Sequence, residues 1–516
     1  MKSSYGVTAC VTSLVIALGA CLCCLLAFSF LLVAVSLPGG DVAFNFDSTP
    51  TPQILRPTQD GALIVVSTKT LETLQDTIVP ESDPRELARR LSGSGVVPKT
   101  LEAAPAPRRV GDQDDFWATN TDNAESSRVS ATLRYVTPHL YFWIEDDVSY
   151  DEDDLQALAE AFETHIYPTV RAFFGSEWSP GVDGDPHLYV LYARGIGRSI
   201  AGYFSSADEI HPLAHEYSNA HEMFFLSADN VDLDQAFTYG VLAHEFQHMI
   251  HWNGDRNEES WMNEGFSEMA AFLAGYEQGR FDYAYTSDPD LQLNTWPGGD
   301  TDTTPHYGAA FLFLTYFLDR YGKDATQALV AHPNNGMTSI DIVLAERGET
   351  DPLRGGVPTA DDVFQDWTIA SYLQSTAPAD GRYNYGNYPS APKPSETETV
   401  RTCPTDTKTR DVHQYGVDYI RIACRGSYTL HFEGSVLVPV LPADPRSGEY
   451  AFWSNRGDES GMTLTRSFDF TGHPGPLTLT FWMWYDIEED YDYVYLEASM
   501  DGETWQILTT PSGTGE

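Results

Sequence analysis

Two histidines four residues apart flank an acidic residue in the run Ala243-His244-Glu245-Phe246-Gln247-His248. On an α-helix, positions i and i+4 lie on one face, so the rings of His244 and His248 can aim at a single point. Two imidazoles at this spacing, with a carboxylate beside the first, suit a tetrahedral zinc ion that acts in hydrolysis. From its place after His244, Glu245 can reach a water in the open coordination position without binding the metal itself. It would take that water's proton as general base and pass it to the leaving amine. The five-residue pattern alone also fits two surface histidines on an amphipathic helix. The lead-in Phe237-Thr238-Tyr239-Gly240-Val241-Leu242-Ala243 is apolar and favours a buried helix instead. His251 shares the same face, at i+3 from His248 and i+7 from His244. Three histidines on one rigid helix reach one tetrahedral ion with difficulty, so His251 is expected at the rim of the site or behind the ligands.

Fifteen residues separate His248 from Glu264, which sits in Trp261-Met262-Asn263-Glu264-Gly265-Phe266-Ser267-Glu268. The pairing of HExxH with this downstream segment resembles the gluzincins, the thermolysin-like and aminopeptidase-like zinc peptidases. The resemblance implies that Glu264 is the third metal ligand and that Glu268, one helical turn on, orients His244. A set of two histidines and one glutamate leaves a corner open, as catalytic rather than structural zinc requires. One departure is that the gap between His248 and Glu264 is a few residues shorter than in those relatives. Its residues Asn253-Gly254-Asp255-Arg256-Asn257 are turn-rich and suit a tight loop. The gluzincins also supply a Tyr or His that steadies the developing oxyanion. Tyr307 is the first choice for that role and His306 the second, although the family's Tyr-x-x-Gly spacing falls on Pro305. Asn219–Leu226 resembles the edge strand above the metal, along which an extended substrate adds as a further strand. His221 within it is expected to be structural.

The elements that must hold these residues are legible from periodicity. Val129–Tyr135, Leu140–Glu145, His187–Tyr192 and His221–Leu226 read as strands, with a shorter candidate at Ala62–Val66. Asp83–Leu91, Asp151–Phe174, 235–252, 261–276, 307–321 and Asp361–Leu373 read as helices. Strands before the metal helix and helices after it give an α+β, two-lobed peptidase domain over residues 114–396. Residues 397–516 read as a β-sandwich, truncated or rich in loops, from Tyr415–Ile422, Ser427–Phe432, Leu477–Trp484, Tyr491–Ser499 and Trp505–Leu508. Within it, Phe481-Trp482-Met483-Trp484-Tyr485-Asp486 and Ser499-Met500-Asp501-Gly502-Glu503-Thr504-Trp505 resemble the β-sandwich of bacterial immune inhibitor A-type peptidases. That resemblance covers about residues 446–510 and implies a secreted setting. Calcium is a candidate ligand for the acidic stretch Asp486–Asp492, although an acidic solvated loop explains it as well.

The first 40 residues form a separate unit. Lys2 precedes an apolar run from Val7 to Leu37, longer than a signal-peptide core and long enough to span a bilayer. It is expected to be a helix that serves as signal peptide or transmembrane anchor. Leu18-Gly19-Ala20-Cys21 resembles a lipobox, but the apolar run continues well past Cys21, which argues against lipidation. Residues 41–113 read as a linker or a pro-segment. Four of the six cysteines lie in the leader, which leaves Cys403 and Cys424 as one candidate disulfide and excludes thiolates from the metal site.

The chain carries 75 acidic against 30 basic side chains, a formal net charge of −45. A polyanion of this size repels nucleic acid, and its membrane contact is confined to the N-terminal segment. Protein or peptide substrates are therefore the expected partners, at a secreted or cell-surface location. An endopeptidase is favoured. An aminopeptidase would need an acidic site for the substrate's free amine, and no GxMEN-like segment precedes the helix. A surface adhesion protein with a decorative peptidase domain would be expected to carry a broken motif, and this one is intact.

Overall fold

The computed structural model describes residues 63–511 except 94, 104, 277–279, 299–300, 427–428, 436–439 and 489–490, together with short backbone segments between residues 6 and 57. The first lobe is built on a mixed sheet. Its strands are β1 (Gln113–Asn120), β2 (Glu125–Val136), β3 (Leu140–Glu145), β4 (Leu188–Ala193), β5 (Gly202–Ser205) and β6 (Met223–Ser227). They lie in the order β5-β6-β4-β3-β2-β1, with the two-residue segment Ala20–Cys21 as a seventh strand outside β5. β3, β4 and β6 are parallel, whereas β5 runs antiparallel to β6.

Alternation along the strands divides the side chains between two cores. Leu140, Phe142, Val190, Phe224 and Leu226 face the helices. Tyr141, Trp143, Tyr189, Leu191 and Phe225 face the other side, where β1 contributes Phe116. The parallel strands β4 and β6 are buried along their whole length, which explains their nearly unbroken apolar sequences.

After a first helix at Thr68–Asp76, the helices that follow are α1 (Pro84–Leu91), α2 (Glu152–Ala161), α3 (Tyr167–Phe174), α4 (Ala236–Gly254), α5 (Ser260–Leu273), α6 (Phe281–Ser287), α7 (Thr304–Val330), α8 (Gly336–Glu346) and α9 (Ala360–Leu373). The helix expected over Asp151–Phe174 is present, but a π-helical turn at Phe162–Ile166 divides it. Pro168 follows directly and cannot donate to the carbonyl four residues back, which suits a local change of hydrogen-bond register. Asp151 caps α2 through the amides of Asp153 and Asp154. The helix expected at 307–321 runs on to Val330, with its break at Gly322, where φ is 80°. Strands β1 and β5 and helices α6 and α8 are additions to the sequence reading.

The N-terminal and C-terminal regions both dock on this unit. Val97 is buried, and the Leu101 amide donates to the Val182 carbonyl at 2.8 Å. Arg90 forms an ion pair at 2.9 Å with the wholly buried Glu497. The C-terminal region has long strands at Leu479–Asp486 and Asp492–Ala498, and Cys403 is bonded to Cys424. It is sparser than the expected sandwich. Tyr415–Ile422 shrinks to a strand at Ile420–Ile422, and the described part of Ser427–Phe432 forms none. Leu430 and Phe432 are exposed there, so the alternation has no second layer to bury it. The buried apolar cluster of this region is Leu479, Phe481 and Leu496 among the described residues.

The helix expected over residues 1–40 falls largely outside the described residues. The backbone segments that are described there are strands, and no helix among the described residues is long and apolar enough to cross a membrane. The side chain of Cys21 is outside the description as well.

Two glycines let the helices behind the metal helix approach closely. A Cβ on Gly265 of α5 would lie 2.9 Å from the Ala310 Cβ of α7. One on Gly308 of α7 would lie 2.1 Å from the Phe281 carbonyl oxygen at the start of α6. Gly308→Ala is therefore expected to cost about 1–3 kcal/mol through overpacking. Gly254→Ala, with open space around the position, should leave the thermal unfolding midpoint unchanged or slightly raised. Calorimetry on both variants checks the contrast.

Candidate metal centre

The helix α4 is buried from Gly240 to Trp252 and apolar on most sides. On its core side, Phe246 stacks on Tyr167 at 5.2 Å and meets Phe162 edge-on at 5.4 Å. Strand β5 crosses close to the helix, where a Cβ on Gly202 would lie 3.0 Å from Val241. This brings the Phe204 amide to the Glu245 carboxylate, to which it donates a hydrogen bond.

Three side chains converge above that helix. The two Nε2 atoms of His244 and His248 are 3.0 Å apart. Glu264 Oε2 lies 3.2 Å from His244 Nε2 and 3.5 Å from His248 Nε2. Metal bonds of about 2.0–2.2 Å in tetrahedral geometry require ligand atoms about 3.3–3.6 Å apart. The observed triangle is close to that size.

Hydrogen bonds on the far side of each ring fix which nitrogen carries the proton. His244 Nδ1 faces Glu268 Oε1 at 3.1 Å. His248 Nδ1 faces Asn263 Oδ1 and Ser267 Oγ, each at 3.1 Å. These partners accept, because the Ser267 hydroxyl proton is directed to Gln247 Oε1. Both Nδ1 atoms therefore carry hydrogen, and both Nε2 atoms present lone pairs. Two lone pairs and a carboxylate oxygen facing one point repel one another unless a cation lies between them.

The surrounding charge makes the same demand. His244, Glu245, His248, Glu264 and Glu268 are all buried. Glu264 Oε2 and Glu245 Oε2 have no hydrogen-bond partner among the described residues. Burial raises the Glu245 and Glu268 carboxyls above their ordinary range. Burial would also raise Glu264, but the two imidazoles hold it at about 2. Burial would lower His244, yet the carboxylates of Glu264 and Glu268 beside it raise it well above the usual histidine value. The pocket thus stabilises positive charge at its centre, and a divalent cation supplies it without a proton.

Other candidate residues separate into near and far. The Tyr307 ring lies 6.2 Å from that of His244 and is wedged edge-on against Trp296 at 4.8 Å. His306, beside it, turns to Trp296 at 6.0 Å. His221 stacks on Tyr189 at 3.9 Å and bonds Asp183 at 2.7 Å, on the sheet face away from the helices. Its structural reading therefore stands.

The assignment of Asn219–Leu226 to the edge strand does not stand. β6 is interior, paired with β4 on one side and β5 on the other, and β5 is the strand against the metal helix. An apolar run suits any fully buried strand, so composition could not separate the two. The signal for β5 was present in Gly202, which permits the close crossing over α4.

His251 does not join the triangle. Its Nδ1 bonds Asn263 Oδ1 at 3.0 Å, behind His248. The described part of Asp486–Asp492 does not form a convergent ligand group, so the calcium expectation gains no support there.

A residue far away in sequence secures α5. No side chain of its own stretch caps it, but Asp458 Oδ2 accepts from the Ser260 amide at 2.9 Å. The C-terminal region thereby helps to hold the helix that carries Glu264.

Comparison with known proteins agrees with this geometry. Residues 438–514 match the family of immune inhibitor A-like MAM domains. The neutral metalloprotease ShpI of Staphylococcus hyicus is 26% identical over 239 residues, which is 42% of this chain and 53% of that protein. The resemblance is to immune inhibitor A-type zinc metallopeptidases. The chain spans about half the length of this metalloprotease relative, and the metal that a metalloprotease needs has a place to bind in the triangle above α4.

Glu268→Ala should weaken metal binding about 10–100-fold by freeing the His244 ring. Chelator competition measures this, and unchanged affinity would show that Glu268 does not orient the ligand.

Proposed function

We propose that this protein is an extracellular zinc-dependent endopeptidase with His244, His248 and Glu264 as metal ligands and Glu245 as general base. The observation that carries the reading is the meeting of two Nε2 lone pairs and one carboxylate oxygen within 3.5 Å, above a buried helix. When bound, the metal supplies Lewis acidity and lowers the pKa of a water in its open position to about 7.

The chain's own residues do the rest. Glu245, held by the Phe204 amide and with Oε2 free, takes the proton of the attacking water. It then delivers that proton to the nitrogen of the departing amine. Burial raises its carboxyl pKa, which makes it a stronger base than an exposed glutamate. The Tyr307 hydroxyl donates to the carbonyl oxygen as charge builds there. Glu268, Asn263 and Ser267 hold the two imidazoles in the required tautomer. The disulfide between Cys403 and Cys424 fits an oxidising, extracellular setting.

Glu245→Gln is expected to keep the fold and one equivalent of metal while casein hydrolysis falls at least about 10²-fold. Retained turnover would remove the assigned base. Tyr307→Phe should lower kcat about 10²-fold with little change in KM, as the loss of one oxyanion donor does. A change confined to KM would instead make Tyr307 a binding residue.

A further inference from the structure

One turn beyond the catalytic ligands, a second group of buried side chains converges. His251 on α4, Asp255 at its C-terminus and Glu258 in the following loop each offer one ligand atom, and these atoms lie within 4.8 Å of one another. The residues are 1%, 5% and 2% exposed. Asp255 Oδ2 and Glu258 Oε2 have no hydrogen-bond partner among the described residues. The other polar atoms of the group are partly engaged. Glu258 Oε1 accepts from the amides of Glu259 at 2.7 Å and Gly336 at 2.8 Å. The Asn257 amide donates to Asp255. His251 Nδ1 is held by Asn263 Oδ1, which leaves Nε2 as the ring atom that can ligate beside the two carboxyl oxygens, with the Val330 backbone carbonyl also near the ring.

Three acceptors turned toward one another inside a protein are costly unless a cation or shared protons join them. We propose that His251, Asp255 and Glu258 form a second, structural site for a divalent transition metal. One imidazole with two carboxylates suits Zn²⁺, Co²⁺ or Mn²⁺, and a dication balances the two carboxylate charges. The site has a clear task. Residues 255–259 are the whole connection between the helix carrying His244 and His248 and the helix carrying Glu264. An ion bound to both the end of α4 and the loop before α5 fixes this short turn. Asn263 Oδ1, shared by the Nδ1 atoms of His248 and His251, joins the two sites directly.

The competing arrangement is a dry proton-sharing cluster. Burial raises Asp255 to about 7 and Glu258 well above the carboxylate range, so both carboxyls could remain protonated in it. Metal stoichiometry separates the two.

The full chain is saturated with Zn²⁺, freed of excess by gel filtration and measured by plasma mass spectrometry. Circular dichroism checks the fold of each variant, and Co²⁺ absorption spectra provide a second reading. The expected result is two ions in the unaltered protein. One ion is expected in Glu264→Ala, and one in the double variant Asp255→Asn, Glu258→Gln. The double variant should also unfold at a lower temperature. One ion in the unaltered protein and none in Glu264→Ala would overturn the second site and leave the catalytic centre standing. One ion kept in Glu264→Ala but lost in the double variant would support the second site and overturn the catalytic assignment.

Discussion

The structure depends on one electrostatic constraint: lone pairs from two imidazoles and one carboxylate are forced together among buried side chains. Protein that buries such groups must supply a compensating cation or lose the arrangement. The residues around the triangle hold it in place. Glu268, Asn263 and Ser267 orient the rings from behind, and Phe246 anchors α4 in the aromatic core. The close helix contacts at Gly265 and Gly308 hold α5 and α7 where Glu264 and Tyr307 face the site.

The short link between α4 and α5 is the mechanically demanding part of the fold. Five residues reverse the chain, and they are held from several directions. The Asn257 side-chain amide donates to the Val79 carbonyl at 2.9 Å, the Gly336 amide reaches Glu258, and Asp458 caps α5. The segments that grip the loop come from before β1, from α8 and from the C-terminal region. They also make the position of Glu264 a property of the whole chain rather than of one lobe.

Much of the site was legible because it rests on local geometry. His244, Glu245 and His248 follow from a four-residue helical repeat, and Glu264 and Glu268 from a second repeat in a specific setting. Periodicity also located the main strands and helices of residues 114–396. What the sequence hid was long-range. Nothing near Ser260 points to Asp458, 198 residues away, as its cap. β5 and β6 are both short and buried, so which of them lies against α4 is decided by pairing partners far away in sequence. The stretches Tyr415–Ile422 and Ser427–Phe432 alternate in sequence, but among the described residues Leu430 and Phe432 are exposed rather than packed under a second layer. Asp255 reads as part of a turn-rich loop, although it stands four residues after His251 and repeats the spacing of His244 and His248.

Anomalous diffraction at the zinc edge, on crystals of the unaltered protein, tests the central claim most directly. The account predicts a peak about 2.0–2.2 Å from His244 Nε2, His248 Nε2 and Glu264 Oε2 together, with one coordination position facing Glu245 and open to solvent. A peak that lacks Glu264 within bonding distance, or four protein ligands closing the ion off from solvent, would contradict it.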